Sequence, residues 1–286
     1  MFLGPWNASS LPSIANVVSY SNYFGSPSSW NDPRLRMAFL GTSIEVVQNS
    51  QALVSSNAGI VLFSQSIPKL SGGLPLALGR ALALRYDDGT VALLSGLDSE
   101  STGPGHGRFN SGDTVASLGM GKAGAFGFSL RLFDQDKAAW VNPLLMLQLP
   151  HDSVSPRIES IILRRAKASI ELALPPKGRA AVSQGMYTIF IRAVEPGGSS
   201  YSSGVFRYKV LLDGQVVQDK SLDSALDGGN GLSFMGLAPP SFSAIDDKGR
   251  LGLGNLDLPR GQHLLEIFVF DFTGNPAQGA WRLMVE

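Results

Sequence analysis

The chain has three imidazoles, His106, His151 and His263, and no cysteine in 286 residues. Zinc chemistry draws on closely spaced His, Cys and carboxylate ligands, and general-base chemistry draws on a group that titrates near neutrality. The three histidines lie far apart, and none has a second histidine at metal-ligand spacing. A conventional histidine-rich zinc site therefore requires the fold to gather all three. The absence of cysteine removes thiol nucleophiles, disulfides and cysteine–zinc sites together, and leaves the compartment open. His106 stands in the glycine-rich stretch Gly103–Arg108 and reads as part of an exposed turn. His151, beside Asp152, reads as a linker residue with at most a weak surface metal contact. His263 opens a strand and reads as structural.

Other residues invite chemistry and fail on context. Asp223, Asp227, Asp246 and Asp247 offer oxygen ligands, but calcium loops need alternating donors closed by a bidentate carboxylate. That spacing is absent, and turns are the better reading. Gly119–Gly124 matches G-x-G-x-x-G, which cradles phosphate only where it follows a strand and opens a helix. The residues after it, Ala125 to Leu132, read as a strand, so the glycines mark a turn. Asn7-Ala-Ser9 is a glycosylation sequon and is discounted. No metal and no cofactor is expected.

The elements that must position any site are short strands. Glycine (33) and proline (17) are spread through the chain, with brief apolar runs between them. Such runs between turn signals are the pattern of strands and not of helices. Ala81 to Tyr86 leads through Asp87-Asp88-Gly89 into Thr90 to Leu94, and Val205 to Leu212 leads through Asp213-Gly214 into Gln215 to Val217. Both read as hairpins, because glycine accepts the positive φ of a tight turn. A proline-punctuated stretch, 149–156, separates two strand series. The expected organisation is an N-terminal extension over 1–20, a first domain over 21–150, and a β-sandwich over 151–286. Residues 219–247 read as a long polar loop, an insertion or a mobile binding loop.

Hydrophobic residues make up 44% and charged residues 16%, and 23 basic residues balance 23 acidic ones. A folded chain is expected, with no field to attract nucleic acid. No segment is apolar and long enough for a transmembrane span. The first residues lack the basic and long apolar parts of a signal peptide, so an exported protein would carry its signal already removed.

The first domain resembles the M23 (LytM-type, lysostaphin-like) zinc endopeptidases that cleave peptidoglycan cross-links. The resemblance runs from about Asn22 to Leu147 and lies in the order of motifs. Ser21–Gly25 stands where the family has S-x-F-G. Phe39-Leu-Gly41-Thr-Ser43-Ile44 stands where it has H-x-G-x-D-I, and Ala58–Val61 matches its G-x-V turn. Gly79–Gly89 matches the G-N-x-V-x-I-x-H-x-D-G hairpin, and Leu94–Leu97 the Y-x-H-L segment. Phe109–Gly119 follows V-x-x-G-D-x-I, Gly124–Arg131 follows G-H-L-H-F-E-V-R, and Val141-Asn142-Pro143 fits the family exit. A weaker likeness links the strand at His263–Asn275, ending D-x-x-G-N, to immunoglobulin-like envelope modules.

The resemblance implies an all-β fold: a duplicated-hybrid-motif sheet domain followed by an immunoglobulin-like sandwich. It also implies where chemistry would sit. The family's zinc ligands and assisting histidines fall on Phe39, Ser43, Gly96, Ala125 and Gly127. None of these binds zinc tightly or moves a proton, and no histidine lies between Met1 and Gly105 to replace them. The expectation is a pseudoenzyme with no catalytic and no metal residues. The old cleft is expected to be either filled by apolar side chains, with Trp30, Phe39, Phe126 and Phe128 as candidates, or left as a shallow apolar groove. The implied role is non-catalytic: an exported protein of the periplasm or cell envelope, binding peptidoglycan or an envelope protein such as a cell-wall amidase. Two alternatives stand beside it, an active zinc endopeptidase with an unconventional site and a purely structural envelope module.

Overall fold

The computed structural model describes residues 12–13, 17–21, 24–25, 27–29, 38–40, 42–65, 80–98, 107–120, 126–147, 152–166, 168–195, 204–227, 232–234, 246 and 249–286. Among these residues the chain is all β, with one 3-10 turn at Pro143–Leu145 and no α-helix. The strands are β1 (Pro12–Ser13), β2 (Val17–Ser21), β3 (Pro27–Ser29), β4 (Ala38–Leu40), β5 (Ser43–Gln48), β6 (Ala52–Ser55), β7 (Gly59–Gln65), β8 (Arg80–Tyr86), β9 (Thr90–Leu97), β10 (Gly107–Phe109), β11 (Thr114–Ser117), β12 (Phe126–Asp134) and β13 (Ala139–Val141). They continue as β14 (Arg157–Arg165), β15 (Ala168–Leu172), β16 (Arg179–Val182), β17 (Gly185–Val194), β18 (Val205–Leu212), β19 (Gln215–Ser221), β20 (Ser224–Asp227), β21 (Leu232–Phe234), β22 (Leu251–Leu258), β23 (Gly261–Asp271) and β24 (Pro276–Val285).

Two units form. One combines Met1–Phe24 with Thr42–Pro150, and the other combines Gly25–Gly41 with His151–Glu286. The division differs from the sequence expectation at the N-terminal side. Strands β1 and β2 lie in the expected extension yet pair with β6 and β5 of the first unit. Strands β3 and β4 pair with one another as a separate ribbon, and 25–41 groups with the second unit.

The first unit is built on an antiparallel sheet in the order β10-β7-β8-β9-β12, with β5 pairing β12 along Phe126–Arg131 and β13 along Leu132–Asp134. Alternation sorts its side chains between two faces. Ile44 and Val46, Leu84, Ala92 and Leu94, and Phe128, Leu130 and Leu132 are buried on one face. Apart from Ala92, each of these side chains contributes about 1.5–3 kcal/mol when withdrawn from water. Tyr86 and Phe109 close the core edge-to-face, with centroids 5.8 Å apart. Burial raises the Tyr86 hydroxyl pKa far above its ordinary range, so it stays protonated.

The second unit is a two-sheet sandwich. One sheet runs β15-β14-β17-β22, the other β16-β24-β23-β18-β19. Ile161, Leu163, Ile189, Ile191 and Leu253 from the first sheet and Val210, Leu265, Ile267, Val269 and Leu283 from the second are fully or nearly fully buried. Of the segment 219–247, read from sequence as a polar loop, residues 228–231, 235–245 and 247 lie outside the described residues, and 219–221, 224–227 and 232–234 are strand. Asp219 lies inside β19, and β20 and β21 form a hairpin in which Ala225 pairs with Phe234. Both are buried, at 0% and 1% exposure, so two apolar anchors override a polar average.

The turn between β18 and β19 has Asp213 at φ +51° and Gly214 at +79°, the two-residue turn that matches strand twist. Asp213 also reaches β23. Its Oδ1 accepts the Leu264 N–H at 2.8 Å, and its Oδ2 lies 2.6 Å from His263 Nδ1, whose Nε2 lies 2.9 Å from the Pro259 carbonyl. Two acceptors facing one ring are both satisfied only by the imidazolium. The Asp213 hydrogen bond accordingly raises the His263 pKa above its ordinary 6.5, and the same bond holds Asp213 below its ordinary 3.8. The histidine contribution is complete below pH 6.5 and is lost as pH rises through its raised pKa. The aspartate contribution is present above pH 3.8 and is lost as pH falls through its lowered pKa. We expect His263→Gln to remove the stability that declines above neutral pH and to leave the melting temperature at about pH 9 nearly unchanged. An NMR titration midpoint for His263 at or below 6.5 would contradict this.

Candidate functional site

The face of the first unit's sheet opposite its core carries the residues of interest. Register assembles it in cross-strand rows. Ser43, Arg131, Leu93, Ala83 and Phe63 form one row across β5, β12, β9, β8 and β7. Trp140, Phe133, Val91, Arg85 and Ile60 form the next. On the other side lie Glu45, Ser129, Ser95 and Ala81. Phe63 is 46% exposed, and Leu62, the extra residue of a bulge in β7, is 42% exposed. Phe133 and Trp140 meet edge-to-face at 5.2 Å.

The positions implied by the family resemblance are only partly brought together. Gly127 lies on this outward face, opposite Val47, and Ser43 lies on it opposite Arg131. Four residues of β12 separate the two levels, about 14 Å along a strand. A single ion cannot be shared across that distance. Gly96 does approach Gly127: a Cβ on Gly96, which has φ +81°, would stand 3.9 Å from the Gly127 carbonyl oxygen. Phe39 is a strand residue of β4, which groups with the second unit, and its side chain lies outside the described residues. Ala125, Trp30, His106 and His151 also lie outside them. Of the aromatic candidates for filling a cleft, Phe128 points into the core at 4% exposure and Phe126 is half-buried.

Two side chains that sequence reasoning passed over dominate the outward face electrostatically. Arg85 is exposed and Arg131 half-buried. Among the described residues neither has an ion-pair or hydrogen-bond partner. Burial lowers the Arg131 guanidinium pKa from its ordinary value, the signature of a charge stripped of water without compensation. By contrast Arg108, in β10, is neutralised by Asp87 at 2.6 Å. The alternation in Arg80–Tyr86 and Phe126–Phe133 did signal that both arginines oppose the leucines of the core. What it could not signal was that β9 brings them to one surface.

A second group lies in the sandwich. Asp152, Glu195 and Asp271 place carboxylate oxygens within 4.8 Å of one another. Asp152, in the proline-punctuated stretch that separates the two strand series, is 6% exposed, and Asp271 is 1% exposed. Asp271 accepts the Asn275 N–H at 2.7 Å, the Asn275 side-chain amide at 2.7 Å and the Thr273 hydroxyl at 3.0 Å. The same amide donates to the Asp152 carbonyl at 3.1 Å, and Asp152 accepts the Val154 N–H at 2.9 Å. An all-oxygen set of this kind suits a hard cation such as calcium, and not zinc. Its members come from positions 152, 195 and 271, so no local spacing announces it.

A family model matches residues 155–286, the sandwich strands β14 to β24 and less than half of the chain. No curated protein matches the chain. Solved structures similar to it include the fibronectin(III)-like modules of Clostridium thermocellum CbhA, at 12% identity and TM-score 0.24, covering 70% of this chain and 86% of that one. The extracellular domain of a one-component system from B. thetaiotaomicron is similar at 11% identity and TM-score 0.24, covering 91% and 31%. Dimeric latent PorU from Porphyromonas gingivalis is similar at 10% identity and TM-score 0.26, covering 95% and 24%. At these scores the likenesses carry no argument about this chain.

Proposed function

We propose that the chain is a non-catalytic binding protein of the cell envelope, which engages a protein partner or peptidoglycan through the outward face of its first sheet. One observation carries the reading. The face that holds Gly127 and Ser43 carries Arg85 exposed and Arg131 half-buried, with Glu45 the other charged side chain in the rows described. These rows hold no histidine, and a single carboxylate does not supply the three protein ligands that zinc hydrolysis of the resembled family's kind needs. The sandwich then serves as a second envelope module. Among the described residues no helix is long and apolar enough to cross a membrane. Export to the periplasm and control of cell-wall hydrolases are the roles that fit the M23 resemblance.

The test pairs two measurements on the purified chain. Zinc after mild dialysis is expected well below one mole per mole, with no uptake on titration. Purified sacculi or a cell-wall amidase is expected to retain the protein without release of muropeptides. Stoichiometric zinc together with peptidoglycan hydrolysis would replace this reading with the peptidase alternative.

A further inference from the structure

We infer that the outward face binds an extended acidic peptide segment of a partner protein, with its carboxylates on Arg131 and Arg85 and an apolar side chain between them. The inference rests on the binding role proposed above and names the chemistry of the partner. Its basis is the register. Arg131 on β12 and Arg85 on β8 are separated by one intervening strand, β9, and by two residue levels along it. With strands about 4.8 Å apart and about 3.4 Å per residue, their Cα atoms stand about 12 Å apart. Side chains four residues apart on one side of an extended peptide are about 13.6 Å apart, with a third midway. Two carboxylates flanking one apolar residue in alternate positions therefore match the arginine pair. Leu93 and Val91 of β9 lie beneath the middle position, and Phe63 extends the apolar strip with 46% of its surface exposed.

The charge balance selects acidic partners. Arg131 and Arg85 lack partners among the described residues, whereas Arg108 is paired with Asp87. Half-buried arginine holds its planar fork ready for a carboxylate, so little further order is lost when the pair forms. Nucleic acid fits less well, because two free cations over an aliphatic strip do not track a phosphate backbone. A glycan would want flat aromatic faces, and here Phe133 and Trp140 are turned edge-to-face on one another.

The test measures fluorescence anisotropy of a labelled, end-blocked Glu-Ala-Leu-Ala-Glu peptide with the full chain, beside its Gln-Ala-Leu-Ala-Gln analogue. The acidic peptide is expected to bind at least about tenfold tighter than the analogue, and to weaken as salt rises from about 50 to about 500 mM. Arg131→Gln with Arg85→Gln should lose about tenfold, and the charge-keeping double change to lysine should lose less. Equal binding of the two peptides, or an unchanged affinity in the glutamine double variant, overturns the inference. If the glutamine variant does not fold, the lysine variant and the salt series on the native chain decide by the same criteria. Pelleting with sacculi separates this inference from the broader role. Retention of native and variant protein alike, without peptide binding, overturns the acidic-peptide assignment and leaves the envelope role standing. Loss of sacculus binding in the variant, without peptide binding, makes peptidoglycan the ligand of the face and overturns the assignment. Binding to neither sacculi, peptide nor amidase overturns both.

Discussion

Replacing Asp246 with alanine is expected to cost about 3–5 kcal/mol of folding stability, because it leaves a buried arginine without its counter-charge. The Asp246 carboxylate is 1% exposed and the Arg250 side chain 6%. Arg250 donates through its backbone N–H to Oδ1 at 2.9 Å and through Nε to Oδ2 at 2.6 Å. Arg164 of β14 donates to Oδ2 at 3.0 Å while its guanidinium lies over the Phe190 ring at 4.3 Å. Two further backbone bonds close the turn, Asp246 N–H to the Arg250 carbonyl and Gly249 N–H to the Asp246 carbonyl. The carboxylate thus ties the turn before β22 to β14, two strands away in the same sheet, and neutralises two cations at once. A contrast comes from Arg207 and Asp219. Their bond is bidentate and short, at 2.7 and 2.6 Å, but the side chains are 46% and 36% exposed. Breaking that pair should cost at most about 1 kcal/mol. Urea unfolding of the two alanine variants checks the ordering. A loss below about 1 kcal/mol for Asp246→Ala would show that water reaches Arg250 and that the buried-pair account is wrong. Replacing Arg250 with methionine in the Asp246→Ala background should recover part of the loss, since the orphaned charge goes with it.

What could be read from the sequence depended on the range of the signal. Strands such as β12 and β23 announce themselves, because Phe128, Leu130 and Leu132, or Leu265, Ile267 and Val269, alternate with residues that face outward. The turns at Asp88-Gly89 and Asp213-Gly214 were legible for a local reason, the positive φ that Gly89 and Gly214 adopt. The β20–β21 hairpin was hidden because its apolar anchors, Ala225 and Phe234, are few and far apart in a polar stretch. Nothing local could show that Ser43 pairs with Arg131 and not with Gly127, since a strand's register is set by its partner. The same holds for the two arginines of the outward face, which meet only through β9. It holds most strongly for Asp152, Glu195 and Asp271, which three separate segments bring within 4.8 Å.

Trp281→Ala is the second change expected to be severe, at about 3–5 kcal/mol. Trp281 is 3% exposed in β24, which lies between antiparallel β23 and parallel β16. Its indole N–H donates to the Ala173 carbonyl at 2.8 Å, just past β15 of the opposing sheet. One side chain therefore supplies both apolar filling and a polar tie between the two layers of the sandwich. The ring sits against Gly279, where an added Cβ would overlap it. Three variants separate the contributions. Trp281→Phe keeps most of the filling and orphans the Ala173 carbonyl, so it should cost about 1–3 kcal/mol. Gly279→Ala in the native background crowds the ring and should cost about 1–3 kcal/mol. The same glycine change in the Trp281→Ala background should cost much less, because the space it needs has been vacated. Additive losses in that pair would mean that the ring does not rest on Gly279, whereas a coupling of about 1 kcal/mol or more assigns the glycine to the indole. Glycine at 279 is then a requirement of packing, since no positive φ is recorded there.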